Sequence, residues 1–243
     1  MTLIQVEYDD HGGNDLSVVN AARVSFAKRA RALRWELSCV TPGPEVFLPV
    51  LEPRDIKLIN YLARENHWTP FGHTWVKVIV KAPIFVARQL AKHQVGLVWN
   101  EESRRYITDD PEFFDVDAWR QRPDGSIKQG SGGPLDHHGN HVASVLAKEV
   151  YETAEAAYQD LLALNVAPEL ARMVLPQATM TTWVWSGNVQ SFSRVCKLRL
   201  DPHAQAETAQ VAGAISNICN TLFPVSWAAL MGNPINPETT SYA

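Results

Sequence analysis

The 243-residue sequence predicts an α+β fold in which helices dominate and strands are few. Two stretches, Thr74 to Ala82 and Thr179 to Trp185, have the β-branched and aromatic makeup of strands. Several longer stretches repeat apolar residues at helical spacing. No linker rich in Gly, Pro or Ser divides the chain, so residues 1–243 are expected to form a single domain.

The elements follow in chain order. Leu3 to Tyr8 alternates enough for a short strand. Asp15 to Ala27 places Leu16, Val19, Ala22 and Phe26 on one helical stripe. Arg23 falls near that stripe and needs a partner or a route to water. Residues 30–53 read as irregular, broken by Pro42, Gly43 and Pro44. Asp55 to Arg64 is a helix with Ile56, Ile59, Leu62 and Ala63 inward. Thr74 to Ala82 is the clearest strand, with Lys77 and Lys81 alternating with apolar neighbours. Pro83 closes it and can open the helix Ile84 to Gln94, because proline is tolerated in a first helical turn. Residues 107–138 form a long polar loop with a short helix expected near Phe113 to Arg120; loops of this length in compact domains are usually functional or disordered. Val142 to Leu164 is a long amphipathic helix whose stripe is Val142, Val145, Leu146, Ala154, Ala157, Leu161 and Leu164. Asn188 to Leu200 returns to helix. Asp201 as N-cap and Pro202 at the first helical position then start the last long helix, which buries Val211, Ile215, Ile218 and Leu222.

Composition narrows the function. A net charge of -4 argues against a general binder of nucleic-acid polymers, though it allows a local cationic pocket. No apolar run is long enough to span a membrane. The first ten residues lack the pattern of a secretory signal. Cys39, Cys196 and Cys219 are odd in number and widely spaced, which reads as reduced packing thiols in a cytoplasmic protein. His137, His138 and His141 cluster beside Asp136, but in a Gly-rich loop where Asn140 could cap a helix, so no metal site is expected. Trp68, Trp75, Trp99, Trp183 and Trp185 read as core or interface residues.

Three clusters carry polar chemistry. The first is Arg88 to Gln94 followed by Asn100 to Tyr106. On a continuous helix Gln89 shares a face with Lys92 and His93. Ser103, Arg104 and Arg105 could cradle a phosphate, since guanidinium forks bind it bidentately; a solvated helix end with salt-bridged arginines is an equal reading. The second is Asn188, Gln190, Ser191, Arg194 and Arg199, then His203, Gln205 and Glu207. Arg199 lies near an apolar stripe, and a structural pair with Asp201 or Glu207 would explain it without a ligand. The third is Arg172 inside an apolar run, where a snorkelling surface arginine is the plain alternative.

Taken together these segments resemble the flavin-dependent thymidylate synthases. His67-Trp68-Thr69-Pro70-Phe71-Gly72-His73 and Ala82 to Gln89 resemble the segment before that family's signature, RHR, seven residues, then Ser. Here the signature reads Lys92-His93-Gln94, eight residues, then Ser103. Ala171 to Pro176 resembles the family's AR-x-x-LP segment, Asn188 to Glu207 its N-x-R-S-L…LR-x-x-x-HAQ-x-E segment, and Lys128-Gln129-Gly130-Ser131 its KQGS loop. Gln190 stands where the family usually has Arg, and Gly72 where it often has Glu.

The resemblance implies the thymidylate synthase-complementing protein fold, a small mostly antiparallel sheet packed with long helices. It implies methylation of dUMP to dTMP, with FAD as cofactor and NADPH and methylenetetrahydrofolate as co-substrates. Gln89, Lys92, Glu101, Glu102, Ser103, Arg105, Arg172 and Arg199 would bind dUMP, and Arg199 would stabilise the N3-deprotonated uracil. Thr69, Lys92, His93, Gln94, Glu101, Asn188, Gln190 and Arg194 would line FAD, with His93 also near the folate. The sites would sit at subunit interfaces of a homotetramer, and no cysteine nucleophile is needed. The changed signature keeps other readings open: a 5-hydroxymethyl-dUMP product, a cytosine nucleotide as substrate, or a nucleotide- or flavin-binding homologue without turnover.

Overall fold

A computed structural model describes residues 3–41, 43–123, 125 and 130–237. The strands are β1 (Gln5–Gly12), β2 (Arg34–Cys39), β3 (Glu45–Val50), β4 (Trp75–Pro83), β5 (Leu97–Glu101) and β6 (Met180–Gly187). The helices are α1 (Asp15–Arg23), α2 (Pro53–Arg64), α3 (Ile84–Leu90), α4 (His137–Ala163), α5 (Pro168–Ala171), α6 (Val189–Arg199), α7 (Ala206–Leu222) and α8 (Pro224–Met231).

The main sheet runs β1-β4-β6-β5 with every neighbour antiparallel. Its register follows from period-2 alternation. Val76, Val78 and Val80 point one way and are fully buried, and opposite Val78 and Val80 stand the equally buried Trp185 and Trp183. Lys77 and Lys81 point the other way, where Lys77 pairs with Asp9 at 3.1 Å and Lys81 with Glu112 at 2.7 Å. The buried face joins Ile56 and Ile59 of α2, Phe192 and Val195 of α6, Ile215 and Leu222 of α7, and Trp227 and Leu230 of α8 in one core.

Two buried acids tie the N-terminal helices into that core. Asn14 caps α1 through a reciprocal bond pair with Ser17. Arg23, whose partner sequence alone leaves open, pairs with the buried Asp55 of α2. Asp15 is buried and accepts from the Val225 and Ser226 amides at 2.9 Å each, closing the N-terminus of α8. Burial raises the Asp15 pKa, against the opposing pull of its bonds to Ser226 and Val225.

Several elements differ from the sequence reading. The α1 helix stops at Arg23 and passes into a 3-10 turn, Val24–Phe26, so Phe26 is 75% exposed rather than part of the buried stripe. Residues 30–53 hold the separate two-stranded sheet β2–β3. The α3 helix ends at Leu90 rather than Gln94, so Lys92, His93 and Gln94 lie in the turn beyond it and the expected shared helical face with Gln89 does not form. That turn leads directly into β5. Residues 113–120 form no helix; isolated bridges join Phe113 to Thr179 and Arg120 to Pro134. Asp136, not Asn140, caps α4 through the Gly139 amide at 2.7 Å, and His137, His138 and His141 occupy its first turns rather than a loop. The α4 stripe is only partly inward: Ala154 and Tyr158 are buried, while Val142, Val145, Leu146 and Leu164 are exposed. The last long helix starts at Ala206, and Asp201 instead accepts from the His203 amide at 2.8 Å. Cys39 is exposed, whereas Cys196 and Cys219 are packed.

Candidate functional site

The sheet places the polar clusters. The α3 helix starts directly after Pro83 and α6 directly after Gly187 and Asn188, from opposite ends of the antiparallel pair β4–β6. A cavity of about 600 Å³ opens beside them, lined by Gln89, Lys197, Arg199 and Gln205 together with Arg120, Ser131 and His203. That volume suits a nucleotide-sized ligand. Arg199 Nε donates to His93 Nε2 at 3.0 Å. The carboxylate partner that would make Arg199 merely structural is absent among the described residues: Glu207 pairs with Arg120 and Asp201 caps a backbone amide. Burial lowers the Arg199 pKa from its usual value. Gln89 is fixed from the other side, its Oε1 accepting from the fully buried Thr208 hydroxyl.

Arg120 is a cavity residue that sequence reasoning passed over. Its Nε donates to Ser131 at 2.8 Å and its other end pairs with Glu207, whose side chain is 6% exposed. Gln205 donates to the second Glu207 oxygen at 3.1 Å. Burial works to raise the Glu207 pKa, but the bonds from Arg120 and Gln205 outweigh it and hold the carboxylate below its ordinary range. The segment carrying Arg120 is anchored on α4 as well, where Trp119 N–H donates to Asn140 at 2.8 Å and its ring to Ser144 at 3.1 Å. Gly130, with φ of 91°, passes so close to the His203 carbonyl that a Cβ would meet it at 2.9 Å. The segment bearing Arg120 is thus pinned at the cavity by an ion pair whose partner lies 87 residues away, a pairing with no local signal. Arg120→Ala is expected to weaken binding of a ligand in this cavity roughly tenfold, the size of a lost charge-assisted bond. Unchanged affinity would show that this segment does not shape the cavity.

The remaining expected nucleotide residues lie elsewhere. Glu101, Glu102 and Arg172 line a second cavity of about 480 Å³, with Arg88, Arg104 and Glu169. Glu101 is already engaged by Thr181 at 2.8 Å and by Trp99 at 3.1 Å. Arg172 is exposed and bonds the Glu169 carbonyl at 3.3 Å. Ser103 and Arg105 bond each other at 3.3 Å in the turn after β5. Lys92 is exposed.

Of the expected flavin residues, Asn188 lines a third opening, together with Gly72, Thr74, Trp75, Lys77 and Gly96. Asn188 caps α6 by accepting from the Ser191 amide at 2.8 Å. Gly96 has φ of 72°, and a Cβ there would meet Ser191 Oγ at 2.2 Å, so the chain presses directly onto the start of α6. Thr69, Gln94 and Arg194 are exposed and Gln190 is half-buried. Lys128 and Gln129 of the KQGS segment fall outside the described residues. Trp183 and Trp185 are core residues, Trp99 stacks on Trp183 with ring centres 4.4 Å apart, and Trp68 and Trp75 are exposed. Among the described residues no group of His, Cys, Asp or Glu is placed to hold a metal, and no helix is long and apolar enough to cross a membrane.

The family profile described as "Thymidylate synthase complementing protein" matches residues 6–225. A flavin-dependent thymidylate synthase of Thermus thermophilus is 36% identical over 220 residues, 90% of this chain and 73% of that protein. One from Kosmotoga olearia is 37% identical over 219 residues, 90% of this chain and 86% of that protein. Among solved structures, a UMP/dUMP methylase, PolB from Streptomyces cacaoi, bound with 5-Br UMP, superposes with a TM-score of 0.77 at 29% identity, covering 96% of each chain. The same protein bound with 5-Br dUMP gives 0.75 at 32% identity, covering 94% of this chain and 95% of that one.

Proposed function

The chain belongs to the flavin-dependent thymidylate synthase family, and from that premise we propose that it methylates C5 of dUMP to give dTMP. Methylenetetrahydrofolate is the one-carbon donor and NADPH the reductant. The observation that carries this reading is Arg199, a cation without a carboxylate partner among the described residues, held at the wall of a nucleotide-sized cavity beside Gln89. A fixed guanidinium there stabilises the uracil ring deprotonated at N3, which raises electron density at C5. Gln89, with its oxygen taken by Thr208, offers its NH2 to an acceptor oxygen of the nucleotide.

FAD would be held by Thr69, Lys92, His93, Gln94, Glu101, Asn188, Gln190 and Arg194. The start of α6 suits a group carrying phosphates, because a helix N-terminus presents amides and Lys77, though paired with Asp9, lines the same opening. When bound, FAD supplies the redox chemistry and the relay of the one-carbon unit. The protein adds no thiolate nucleophile: burial pushes the Cys196 thiol up to about 12 and Cys219 well above its usual value. Free cysteines fit a reducing compartment such as the cytoplasm.

We infer that the active site is composite and the protein a homotetramer. Gln89 and Arg199 line one cavity, while Glu101, Glu102 and Arg172 line another, so one chain offers two halves of the expected dUMP set. The exposed Val142, Val145, Leu146 and Val150 on α4 form an apolar face that association would cover.

The test is a product assay with dUMP, methylenetetrahydrofolate, NADPH and FAD, read as nucleotide mass. A gain of one methyl group is the expected result. A gain of a hydroxymethyl group would show that water, not hydride, completes the reaction. A second reading, that UMP is also accepted, is favoured by the similarity to a methylase solved with 5-Br UMP and calls for UMP in a parallel assay. No change to either nucleotide would overturn the methylation reading.

A further inference from the structure

A guanidinium carries five N–H donors and no acceptor. The 3.0 Å contact between Arg199 Nε and His93 Nε2 therefore requires a lone pair on Nε2. The His93 ring must be neutral, with its proton on Nδ1. Resting on the reading of Arg199 as the pyrimidine-binding cation, we propose that His93 is its positioning residue: the neutral ring holds Nε and leaves both terminal NH2 groups to meet the nucleotide end-on. Adjacent acceptors, such as a deprotonated ring nitrogen and the carbonyl beside it, match that fork.

The surroundings support this role. His93 sits in the turn between α3 and β5, held by its amide to the Leu90 carbonyl at 2.9 Å, and closed by the Leu97 amide to Gln94 at 3.3 Å. The ring is half-buried, and among the described residues Arg199 has no carboxylate to orient it otherwise. Burial first, and then the Arg199 charge, lowers the His93 pKa from 6.5. Around it, Lys92 is exposed on the same turn, Lys197 and His203 line the cavity from α6 and the loop after it, Asp201 is bonded to the His203 amide, and Glu207 at the start of α7 is held by Arg120 and Gln205. A pKa below 6.5 keeps the acceptor present at neutral pH. As pH falls through that depressed pKa, the acceptor is lost and two cations face each other.

The experiment measures dUMP affinity of the FAD-loaded protein from about pH 5 to about pH 8.5, a range that spans an ordinary histidine. Wild type should lose affinity on the acid side. His93→Gln keeps an acceptor that does not titrate, and should flatten that acid limb. His93→Asn, the same acceptor on a shorter stem, is the second variant if the first releases FAD. His93→Ala should weaken binding roughly tenfold at the alkaline end, the size of one charge-assisted bond. An acid limb that survives in the acceptor variants would assign it to His203 or another group and overturn the proposal, as would wild-type affinity in His93→Ala. If wild type binds dUMP with the His93-dependent profile but yields no dTMP, the methylation reading fails and the positioning role stands. If wild type binds no pyrimidine nucleotide, both fall.

Discussion

Replacing Arg199 by alanine is expected to abolish turnover while the protein still folds. The two halves of that expectation have separate causes. Arg199 is a cavity cation with no acidic partner among the described residues, so its charge is available to a ligand rather than spent on the fold. Removing a single preorganised group that stabilises developing negative charge typically costs about 10²- to 10³-fold in kcat. Stability should change little, by no more than about 1 kcal/mol, because truncation strands no buried charge: the one partner lost is the neutral His93 ring, which water can satisfy. Arg199→Lys should fall between, keeping the charge without the planar fork. The measurements are steady-state turnover and a thermal melt on the same preparation. A variant that melts like wild type and retains activity within a few-fold would remove Arg199 from the chemistry, and with it the cavity beside Gln89. A variant that fails to melt cooperatively would instead make Arg199 a structural residue.

What is legible in the sequence divides along a physical line. The β4 strand and the buried faces of α2 and α7 are readable because each buries one regular face, and periodicity records burial. The β2–β3 sheet is not readable. Trp35, Leu37 and Phe47 are exposed, so alternation there marks no core, and the prolines dominate the pattern. The end of α3 is hidden because Ala91, Lys92 and Gln94 favour helix locally. Beyond the helix end, Gly96 takes a left-handed backbone where a Cβ would collide with Ser191, and that close packing against α6 is a tertiary feature no local pattern records. Asp201-Pro202 looks like a helix start because a side chain that caps a turn and one that caps a helix share the same chemistry. The site follows the same rule. Gln89 and Arg199 stand out through motif spacing, whereas Arg120 and Thr208 act across contacts 87 and 119 residues apart in sequence, where no pattern reaches.

Removing Arg23 should destabilise the protein by about 3–5 kcal/mol, the usual cost of stranding a buried charge. Asp55 is fully buried on α2 and Arg23 is 16% exposed on α1, so the pair is shielded from solvent. Among the described residues, one Asp55 oxygen lacks a hydrogen-bond partner. Burial raises the Asp55 pKa, and Arg23 opposes that rise. A carboxyl whose folded pKa is raised binds its proton more tightly when folded, so its charge costs stability at neutral pH and that cost is relieved on acidification. In Arg23→Met the opposing charge is gone and the pKa rises further. Its deficit should therefore shrink between about pH 7.5 and about pH 5, opposite to the usual acid loss of a paired carboxylate. The double variant Arg23→Met/Asp55→Leu should recover most of the loss, since nothing buried is left charged. Denaturant unfolding at both pH values separates these outcomes: a single variant within about 1 kcal/mol of wild type would show that water reaches Asp55. The consequence extends to the site, because the turn bearing Thr69 hangs from the end of α2, where the His67 amide bonds the Leu62 carbonyl at 2.8 Å. A single variant that loosens α2 should also release FAD more readily, and the double variant should hold it.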